Sequence, residues 1–280
     1  MKKYFTRREM LACLAMLPAL SPVSRSDIKA GEHGKKKKWI DLFDGESLNG
    51  WHTNRQKITH GTGGRWQVEN GTLTGEQDPP GSGNGGILMS DRKYGDFELE
   101  LELAPDWGVD SGVFIRCNEK GECFQIYVDY HDQGHVGYIS TEEKDRMFIR
   151  PFFINGISDE TGNLTGFETK PDPRKQAWGK GFLRYNCSPE EWKKAWKTGE
   201  WNTLRIRCSG KYPRITTWIN QVMIADFDGE TCASPLYKKE ELSEKLGREG
   251  HIALQVHGGK GSWKEGAKCR WRKIKIKELT

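Results

Sequence analysis

The sequence predicts an all-β protein, an antiparallel sandwich or jelly roll with one or two short helices in its loops. Apolar and acidic residues alternate strictly from Phe97 to Leu103 (FELELEL), which is the two-residue period of a half-buried antiparallel strand. Further short apolar runs are separated by turn residues, and the chain contains 33 glycines and 11 tryptophans. Many short strands joined by tight turns are typical of sandwiches and jelly rolls.

The remaining elements follow in chain order. Trp39–Trp51 predicts a short strand and a turn. Trp66–Thr74 predicts a two-residue hairpin, because Asn70-Gly71 between alternating strands favours a type I′ turn. Ser111–Arg116 predicts a strand that ends on a charged residue. Further strands are predicted over 86–90, 124–129, 202–208, 214–220, 222–227, 252–257 and 270–278.

Two short helices are predicted between the later strands. Ser188-Pro189-Glu190-Glu191 combines an N-cap serine, a proline at the first helical position and a glutamate three residues after the cap. A second helix is predicted from about Leu236 to Leu246, closed by Gly247.

The charge distribution divides the chain into an N-terminal leader and a nearly neutral body. Residues 1–38 contain ten Lys/Arg and three Asp/Glu, whereas residues 39–280 contain 34 and 36. The body therefore lacks the basic surface that nucleic-acid binding requires, and we expect no nucleic-acid partner. No apolar run is long enough to cross a bilayer, so no membrane span is expected.

The leader resembles an export signal. Residues 1–30 contain a basic start, the twin arginine Arg7-Arg8 and a short apolar run, and residues 6–11 (TRREML) resemble a twin-arginine signal with Met10 where Phe is more usual. Residues 31–38 form a basic linker. We therefore expect a bacterial protein that is exported to the periplasm or the outside of the cell.

Residues 39–280 are predicted to form a single β-sandwich domain with a long insertion at about 140–187. The insertion is rich in Gly, Pro and aromatic residues and includes Arg150. Two interpretations remain open, a wall beside a functional site or an accessory unit with its own small core.

Six cysteines follow the leader, and an exported protein permits disulfides between them. Cys117 and Cys123 flank a turn and could pair across a hairpin. A direct pair would place Cys117 in the face of Gln125, and Arg116 would then point to the other face. A bulge or an absent disulfide would resolve that conflict.

Candidate site residues lie on two strands. In FQIYVD (124–129), Gln125, Tyr127 and Asp129 share the face opposite the core, and His131 follows on a loop. In the strand that ends near residue 257, the candidates on the non-core face are Gln255 and His257.

If these strands are neighbours, Asp129, His131 and His257 could converge with Arg116 in one groove. The group Asp129, His131, Asp132 and His135 could also hold a divalent metal, although no cofactor is established by spacing alone. Trp218 could stack on the face of a sugar.

The ordered motifs resemble one known family. They are IDLFDGESLNGW, WQVENGTLTG, GGILMS, YGDFELELEL, SGVFIR, EWNTLRIRCSG, TTWINQV, HIALQVHGG and WRKIKIKEL. In this order they resemble the 3-keto-disaccharide hydrolase family, over residues 39–280 without the insertion. The resemblance implies a concanavalin A-like jelly roll that cleaves glycosides oxidised to a ketone at C3, with an oligosaccharide or glycoside as its substrate partner; the oligomeric state stays open.

The resemblance also suggests roles for the candidate residues. Removal of the C2 proton, loss of the C1 substituent and addition of water require a base, an enolate stabiliser and an acid. His257 or His131 would be the base, Arg116 or a metal would stabilise the enolate, and Asp129 would be the acid or would orient a histidine. Gln125, Tyr127, Gln255 and Trp218 would bind substrate.

One departure from the family pattern keeps a second function open. Gln125 lies where the resemblance leads us to expect an acidic residue, so the chain could instead be a non-catalytic carbohydrate-binding module. An ordinary glucanase would need two carboxylates beside the scissile bond. Glu98, Glu100 and Glu102 fit that spacing, but we interpret them as the solvated back of a sheet.

Overall fold

Strands dominate the computed structural model, which describes residues 38–54, 61–142, 150–172 and 181–279. The first strands are β1 (Ile40–Asp41), β2 (Trp51–Thr53), β3 (Arg65–Glu69), β4 (Thr72–Glu76), β5 (Gly86–Tyr94), β6 (Phe97–Leu103), β7 (Gly112–Cys117), β8 (Cys123–Asp129) and β9 (His135–Glu142). They are followed by β10 (Phe152–Ser158), β11 (Leu164–Pro171), β12 (Leu183–Asn186), α1 (Pro189–Ala195), β13 (Asn202–Ser209), β14 (Arg214–Ile219), β15 (Val222–Asp228), α2 (Lys239–Leu246), β16 (Gly250–Val256) and β17 (Cys269–Glu278). The all-β prediction is confirmed.

Two antiparallel sheets bury a common core. The nine-stranded sheet has the order β12-β15-β14-β13-β6-β17-β4-β3, with β1 also paired to β17, and the six-stranded sheet has the order β2-β5-β16-β7-β8-β9. Leu99 and Leu101 from the first sheet and Leu254 and Val256 from the second belong to the same buried cluster. The two-residue alternation predicts Leu99 and Leu101 as core and leaves Leu254 and Val256 on the face opposite Gln255, and all four are fully buried.

The outer face of β6 carries ion pairs to its neighbours. Glu98 is paired with Lys277 at 2.7 Å and with Arg205 at 2.8 Å. Glu100 and Glu102 likewise pair with basic side chains of β17. The acidic row thus forms the back of the nine-stranded sheet, and cross-strand charge pairs of this kind stabilise sheets modestly.

Local sequence signals determine the small elements. Asn70 and Gly71 both have positive φ (49° and 74°), as the predicted type I′ hairpin requires. The Ser188 side chain accepts from the amide of Glu191, whose carboxylate accepts from the Ser188 amide, so the predicted capping box is formed. Helix α2 starts three residues later than predicted, because a turn closed by the Tyr237 amide and the Ser234 carbonyl precedes it.

The predicted insertion contains a hairpin that packs on the sandwich. Strands β10 and β11 pair with each other and with neither large sheet. Phe167 of β11 contacts the rings of Trp107, Tyr130 and Trp192, with centroids 5.8, 5.8 and 5.3 Å away. The described part of the insertion is therefore anchored in the main core rather than in a core of its own; residues 143–149 and 173–180 lie outside the description.

A bulge in β7 explains the orientation of Arg116 and Cys117. His251 pairs with Cys117 while Ala253 pairs with Phe114, so β7 has one extra residue there, and Arg116 has a φ of 51°. Cys117 and Cys123 share a small apolar cluster without a disulfide between them. A disulfide between these cysteines was one of two interpretations of the sequence. In the structure both cysteines are free.

Two further predictions concern the N-terminal leader and membrane spans. The predicted export signal and nearly all of the basic linker lie outside the described residues. Within the described residues, neither helix is long and apolar enough to cross a membrane.

Candidate functional site

The candidate site lies at one end of the six-stranded sheet, where β7 begins and its neighbours end. Because β7 is antiparallel to both β8 and β16, Asp110 before β7 lies near Asp129 at the end of β8. His257 follows β16, and its amide donates to the Asp110 carbonyl at 3.2 Å. Strand order therefore gathers residues that are far apart in the sequence.

Asp110, Asp129 and His131 are the central group of this site. One ligand atom from each lies within 4.8 Å of the others. Asp129 is only 2% exposed. The Asp110 and His131 side chains are 23% and 28% exposed.

The environment of Asp129 opposes its negative charge. Burial raises the pKa of Asp129 well above its usual value, and the neighbouring Asp110 carboxylate raises it further. The guanidinium of Arg150, with Nη2 3.4 Å from Asp129 Oδ2, acts in the opposite direction and lowers the pKa. Burial and the second carboxylate outweigh the guanidinium, so the site favours a bound proton or a bound cation.

The two histidines each have one nitrogen committed to the backbone. Nδ1–H of His131 donates to the Asp132 carbonyl at 2.7 Å, and Nδ1–H of His257 donates to the Gly258 carbonyl at 2.5 Å. In the neutral imidazole, Nε2 then carries the lone pair. Nε2 of His131 lies 3.9 Å from Asp110 Oδ2, so this lone pair belongs to the central group.

Two buried polar atoms in the group point to a ligand. Asp129 Oδ1 and His131 Nε2 have no hydrogen-bond partner in the described part of the chain. Two carboxylates and one imidazole are donors that suit a divalent cation, and the carbonyl bond to Nδ1 is the contact that commonly orients a metal-bound histidine. Asp110, Asp129 and His131 could therefore hold such a cation.

Gln125 and Gln255 form a second buried row on the outer face of the sheet. Gln125 Nε2 donates to Gln255 Oε1 at 3.0 Å across the intervening strand. A Cβ at Gly112 would lie 2.5 Å from Gln125 Nε2, so a side chain at position 112 would require the Gln125 amide to move. Tyr127 lies in the same region, with its ring 4.7 Å from that of His135 and beneath the Arg150 guanidinium.

The structure does not bring Arg116 into the site, so its expected place in the groove is wrong. The bulge turns this fully buried side chain toward the far end of the strand, where Nη2 contacts Asp96 Oδ1 at 3.1 Å and the Gly210 carbonyl at 3.2 Å. Its contacts are those of a residue that joins loops at that end of the sandwich.

Trp218 is also remote from the group. It lies on β14 of the nine-stranded sheet, where the Arg205 guanidinium is 5.4 Å from its ring centroid. A sugar bound at Asp129 would therefore be out of its reach, because the two residues belong to different sheets.

Of the four residues suggested as metal ligands, two, Asp129 and His131, lie in the central group. Asp132 Oδ1 accepts from the Gly156 amide at 2.9 Å, and the His135 ring packs between Tyr127 and Tyr138. Neither belongs to the group of ligand atoms that contains Asp129 and His131.

Sequence reasoning missed Asp110 and the role of Arg150. Asp110 precedes the predicted strand 111–116, and Asp129 ends the strand that follows it. Adjacent antiparallel strands place these two positions at the same sheet edge, so this signal was available. Arg150 belongs to the insertion, and no periodicity in the sequence relates it to Asp129.

The chain is similar to a curated protein and to several solved structures. A 3-keto-disaccharide hydrolase of Bacteroides thetaiotaomicron is 31% identical over 177 residues, which are 60% of this chain and 51% of that protein. The chain thus spans about half the length of this curated relative.

Solved structures are more distant. A candidate glycosyl hydrolase of Parabacteroides distasonis is 21% identical to this chain. The match covers 86% of this chain and 100% of the Parabacteroides chain, with a TM-score of 0.47. A Bacillus licheniformis beta-glucanase is 10% identical to this chain. The match covers 87% of this chain and 98% of the glucanase, with a TM-score of 0.45.

The family model for the 3-keto-alpha-glucoside-1,2-lyase-like domain matches residues 38–277, which is most of the chain. This chain therefore belongs to the 3-keto-alpha-glucoside-1,2-lyase-like domain family.

Proposed function

We propose that this chain cleaves glycosides whose sugar carries a ketone at C3. The family and the name of the Bacteroides relative support this substrate class. The observation that carries the proposal is the compact group of Asp110, Asp129 and His131 at the open end of the six-stranded sheet. Acid–base chemistry on a sugar needs such groups within hydrogen-bond reach of one substrate.

A C3 ketone makes the reaction accessible to ordinary side chains. The ketone acidifies the proton on C2, so a base can remove it and leave an enolate. The enolate electrons then expel the C1 oxygen substituent, which takes up a proton, and a double bond forms between C1 and C2. Addition of water across that bond restores the 3-keto sugar, so the net reaction is hydrolysis.

His131 and Asp129 are suited to the two proton transfers. His131 Nε2 carries the lone pair that would accept the C2 proton, because Nδ1–H is bonded to the Asp132 carbonyl. Asp129 would donate a proton to the leaving oxygen, since its surroundings favour the neutral carboxyl. Arg150, rather than Arg116, supplies the positive charge next to this carboxyl.

A bound divalent cation would distribute the roles differently. With Asp110, Asp129 and His131 as its ligands, the cation would stabilise the negative charge of the enolate. The base would then be His257, whose Nδ1 is bonded to the Gly258 carbonyl and whose backbone joins Asp110.

The test is cleavage of 4-nitrophenyl 3-keto-glucoside by the purified protein, followed as release of 4-nitrophenol with and without a chelator. We expect release by the wild type and a slower rate with deuterium at C2. Under the metal-free arrangement His131→Gln lowers kcat by about 10²–10⁴-fold and chelation has no effect. Under the cation arrangement chelation abolishes release, Mn²⁺ restores it and His257→Gln is as damaging as His131→Gln.

A matched control is His52→Gln, because His52 is a solvent-accessible histidine paired with Asp91 and is remote from the group. This variant should retain full activity. Sugar binding without any release by the wild type would overturn the enzyme proposal and support the carbohydrate-binding module instead.

We also propose that the chain is exported through its twin-arginine leader. The support is the basic start and Arg7-Arg8 ahead of a short apolar run. Replacement of both arginines by lysine should retain the protein in the cytoplasm of a bacterial host, as read by cell fractionation. Periplasmic recovery of that variant would contradict a twin-arginine route.

A further inference from the structure

The loop that carries His131 is hydrogen-bonded to strand β10 of the β10–β11 hairpin. The Gln133 amide donates to the Ile154 carbonyl at 2.9 Å, and the Ile154 amide donates to the Gly134 carbonyl at 3.0 Å. Arg150, which precedes β10, donates from Nη1 to the Gln133 carbonyl. The hairpin therefore holds the loop on the C-terminal side of His131.

Two side chains add to these backbone bonds, one from each partner. Asp132 of the loop accepts through Oδ1 from the Gly156 amide of β10 at 2.9 Å. Asn155 of β10 accepts through Oδ1 from the Gln133 amide at 3.1 Å. Each oxygen thus ties the loop to the hairpin through a bond that a substitution can remove without changing the backbone.

One peptide group transmits these contacts to the His131 ring. The Asp132 carbonyl and the Gln133 amide belong to the same planar unit, in which the C=O and N–H bonds point in opposite directions. The N–H is bonded to the Ile154 carbonyl, and the C=O accepts from Nδ1–H of His131 at 2.7 Å. Because the hairpin fixes the N–H, it also fixes the carbonyl that Nδ1 meets.

The direction of this carbonyl determines which nitrogen of His131 carries the proton. A bonded Nδ1–H leaves the lone pair on Nε2, which lies 3.9 Å from Asp110 Oδ2. In water a neutral histidine side chain favours the opposite tautomer, with its proton on Nε2. The bond to the Asp132 carbonyl therefore gives the central group a lone pair, whether that lone pair accepts a proton or binds a cation.

The hairpin can support the loop because the hairpin is itself anchored in the core. Ile154 is fully buried, and the Phe167 ring of β11 lies 5.8 Å from the ring of Trp107 and 5.3 Å from that of Trp192. Functional side chains are held most precisely by groups that are locked by packing of this kind.

We propose that the β10–β11 hairpin positions His131, and that Asp132 and Asn155 are its positioning residues. They hold the Asp132–Gln133 peptide so that Nδ1 keeps its proton and Nε2 keeps its lone pair next to Asp110. The use of that lone pair rests on the proposed function, but the tautomer is a property of the protein without substrate. Neither positioning residue belongs to the central group.

The test uses three double variants. Asp132→Ala, Asn155→Ala removes both acceptor oxygens and is the test variant. Asp132→Asn, Asn155→Asp keeps an acceptor oxygen at each position and the net charge of the wild type, and is the rescue variant. Asp159→Ala, Asn163→Ala is the control, because it removes the same two residue types from exposed positions at the tip of the same hairpin.

Two measurements are made on each protein. Nitrogen-15 NMR of the histidine-labelled, chelator-treated protein at alkaline pH reports the tautomer, and the His131 signals are identified by their absence from His131→Gln. Steady-state kinetics with 4-nitrophenyl 3-keto-glucoside gives kcat and KM.

We expect the Nδ1–H tautomer of His131 in the wild type and a shift toward the Nε2–H tautomer in the test variant. Its kcat should fall about tenfold, the effect of one or two lost hydrogen bonds, while KM is unchanged because neither side chain binds substrate. The rescue variant and the control should match the wild type in both measurements.

A wild type with its His131 proton on Nε2, or a test variant with an unchanged tautomer, would overturn the positioning role. A rescue variant or a control that is damaged as much as the test variant would also overturn it. If the wild type cleaves no 3-keto substrate but the tautomer shifts in the test variant alone, the cleavage proposal fails and the positioning of His131 stands.

Discussion

At the scale of single residues, the site depends on two carboxylates that are costly to place together. Asp129 is buried beside Asp110, and both burial and this neighbour raise the pKa of Asp129. Such an arrangement lowers the stability of the fold, and strongly perturbed carboxylates of this kind are concentrated at functional sites.

Asp129→Asn tests this trade-off directly. The substitution keeps the shape of the side chain and removes its acid chemistry, so we expect kcat to fall by about 10²–10⁴-fold. The unfolding temperature should not fall, because the amide is neutral, as is the carboxyl that burial and Asp110 favour at this position. Thermal unfolding and steady-state kinetics measure the two effects.

The control is Asp91→Asn, at an exposed carboxylate bonded to His52, which should leave kcat unchanged. An Asp129→Asn protein that retains activity would exclude Asp129 from the reaction. A large loss of stability would show that its place in the fold is structural.

The structure brings predicted site residues together where a single strand and the loop after it carry them. Asp129 and His131 are two positions apart in the sequence and lie together in the central group. Arg116 failed because a bulge, which alternation does not reveal, turns its side chain to the far end of the strand. Asp110 was missed although the order of its strand and the next one predicts that it lies near Asp129.

At the scale of elements, β6 is stabilised differently on its two faces. Its apolar face is in the core, and its acidic face is covered by basic side chains of β13 and β17. At Glu98 burial raises the pKa, but hydrogen bonds from Lys277 and Arg205 outweigh it, so the pKa is below the usual value.

The Glu98 ion pairs should stabilise the fold only above acidic pH. Because the folded-state pKa is lower than the unfolded value of 4.5, the contribution is complete above that pH and is lost as the pH falls through the folded pKa. Glu98→Gln should therefore cost about 1 kcal/mol of unfolding free energy at pH 7 and almost nothing at low pH.

Urea unfolding at a series of pH values measures this difference. Glu46→Gln serves as the control, because exposed Glu46 has no ion pair among the described residues. A Glu98 effect that stays constant down to acidic pH would contradict the electrostatic origin.

At the scale of the whole molecule, packing rather than disulfides holds the sandwich together. The six cysteines after the leader are not joined by disulfides, and Cys187, Cys208 and Cys269 are fully buried. Burial raises the pKa of both Cys187 and Cys208 to about 11, which makes these thiols unreactive near neutral pH.

A reducing agent should therefore leave the unfolding temperature unchanged. In the native protein a thiol reagent should modify Cys232 in preference to the buried cysteines, because Cys232 is partly exposed. Mass spectrometry of labelled peptides identifies the site, and Cys232→Ser should remove that label. A lower unfolding temperature on reduction would reveal a disulfide that stabilises the fold.

The sequence by itself determined the fold class, the core rows, the first hairpin and the first helix, because two-residue alternation, turn residues and caps are local signals. It also suggested Asp129 and His131 as site residues, which the structure brings within one group. Only the tertiary structure decided that Asp110 and Arg150 complete the site, that Arg116 and Trp218 lie elsewhere, and that the β10–β11 hairpin is bonded to the loop of His131. These outcomes depend on strand order, a bulge and long-range aromatic packing, which act between residues that no local pattern connects.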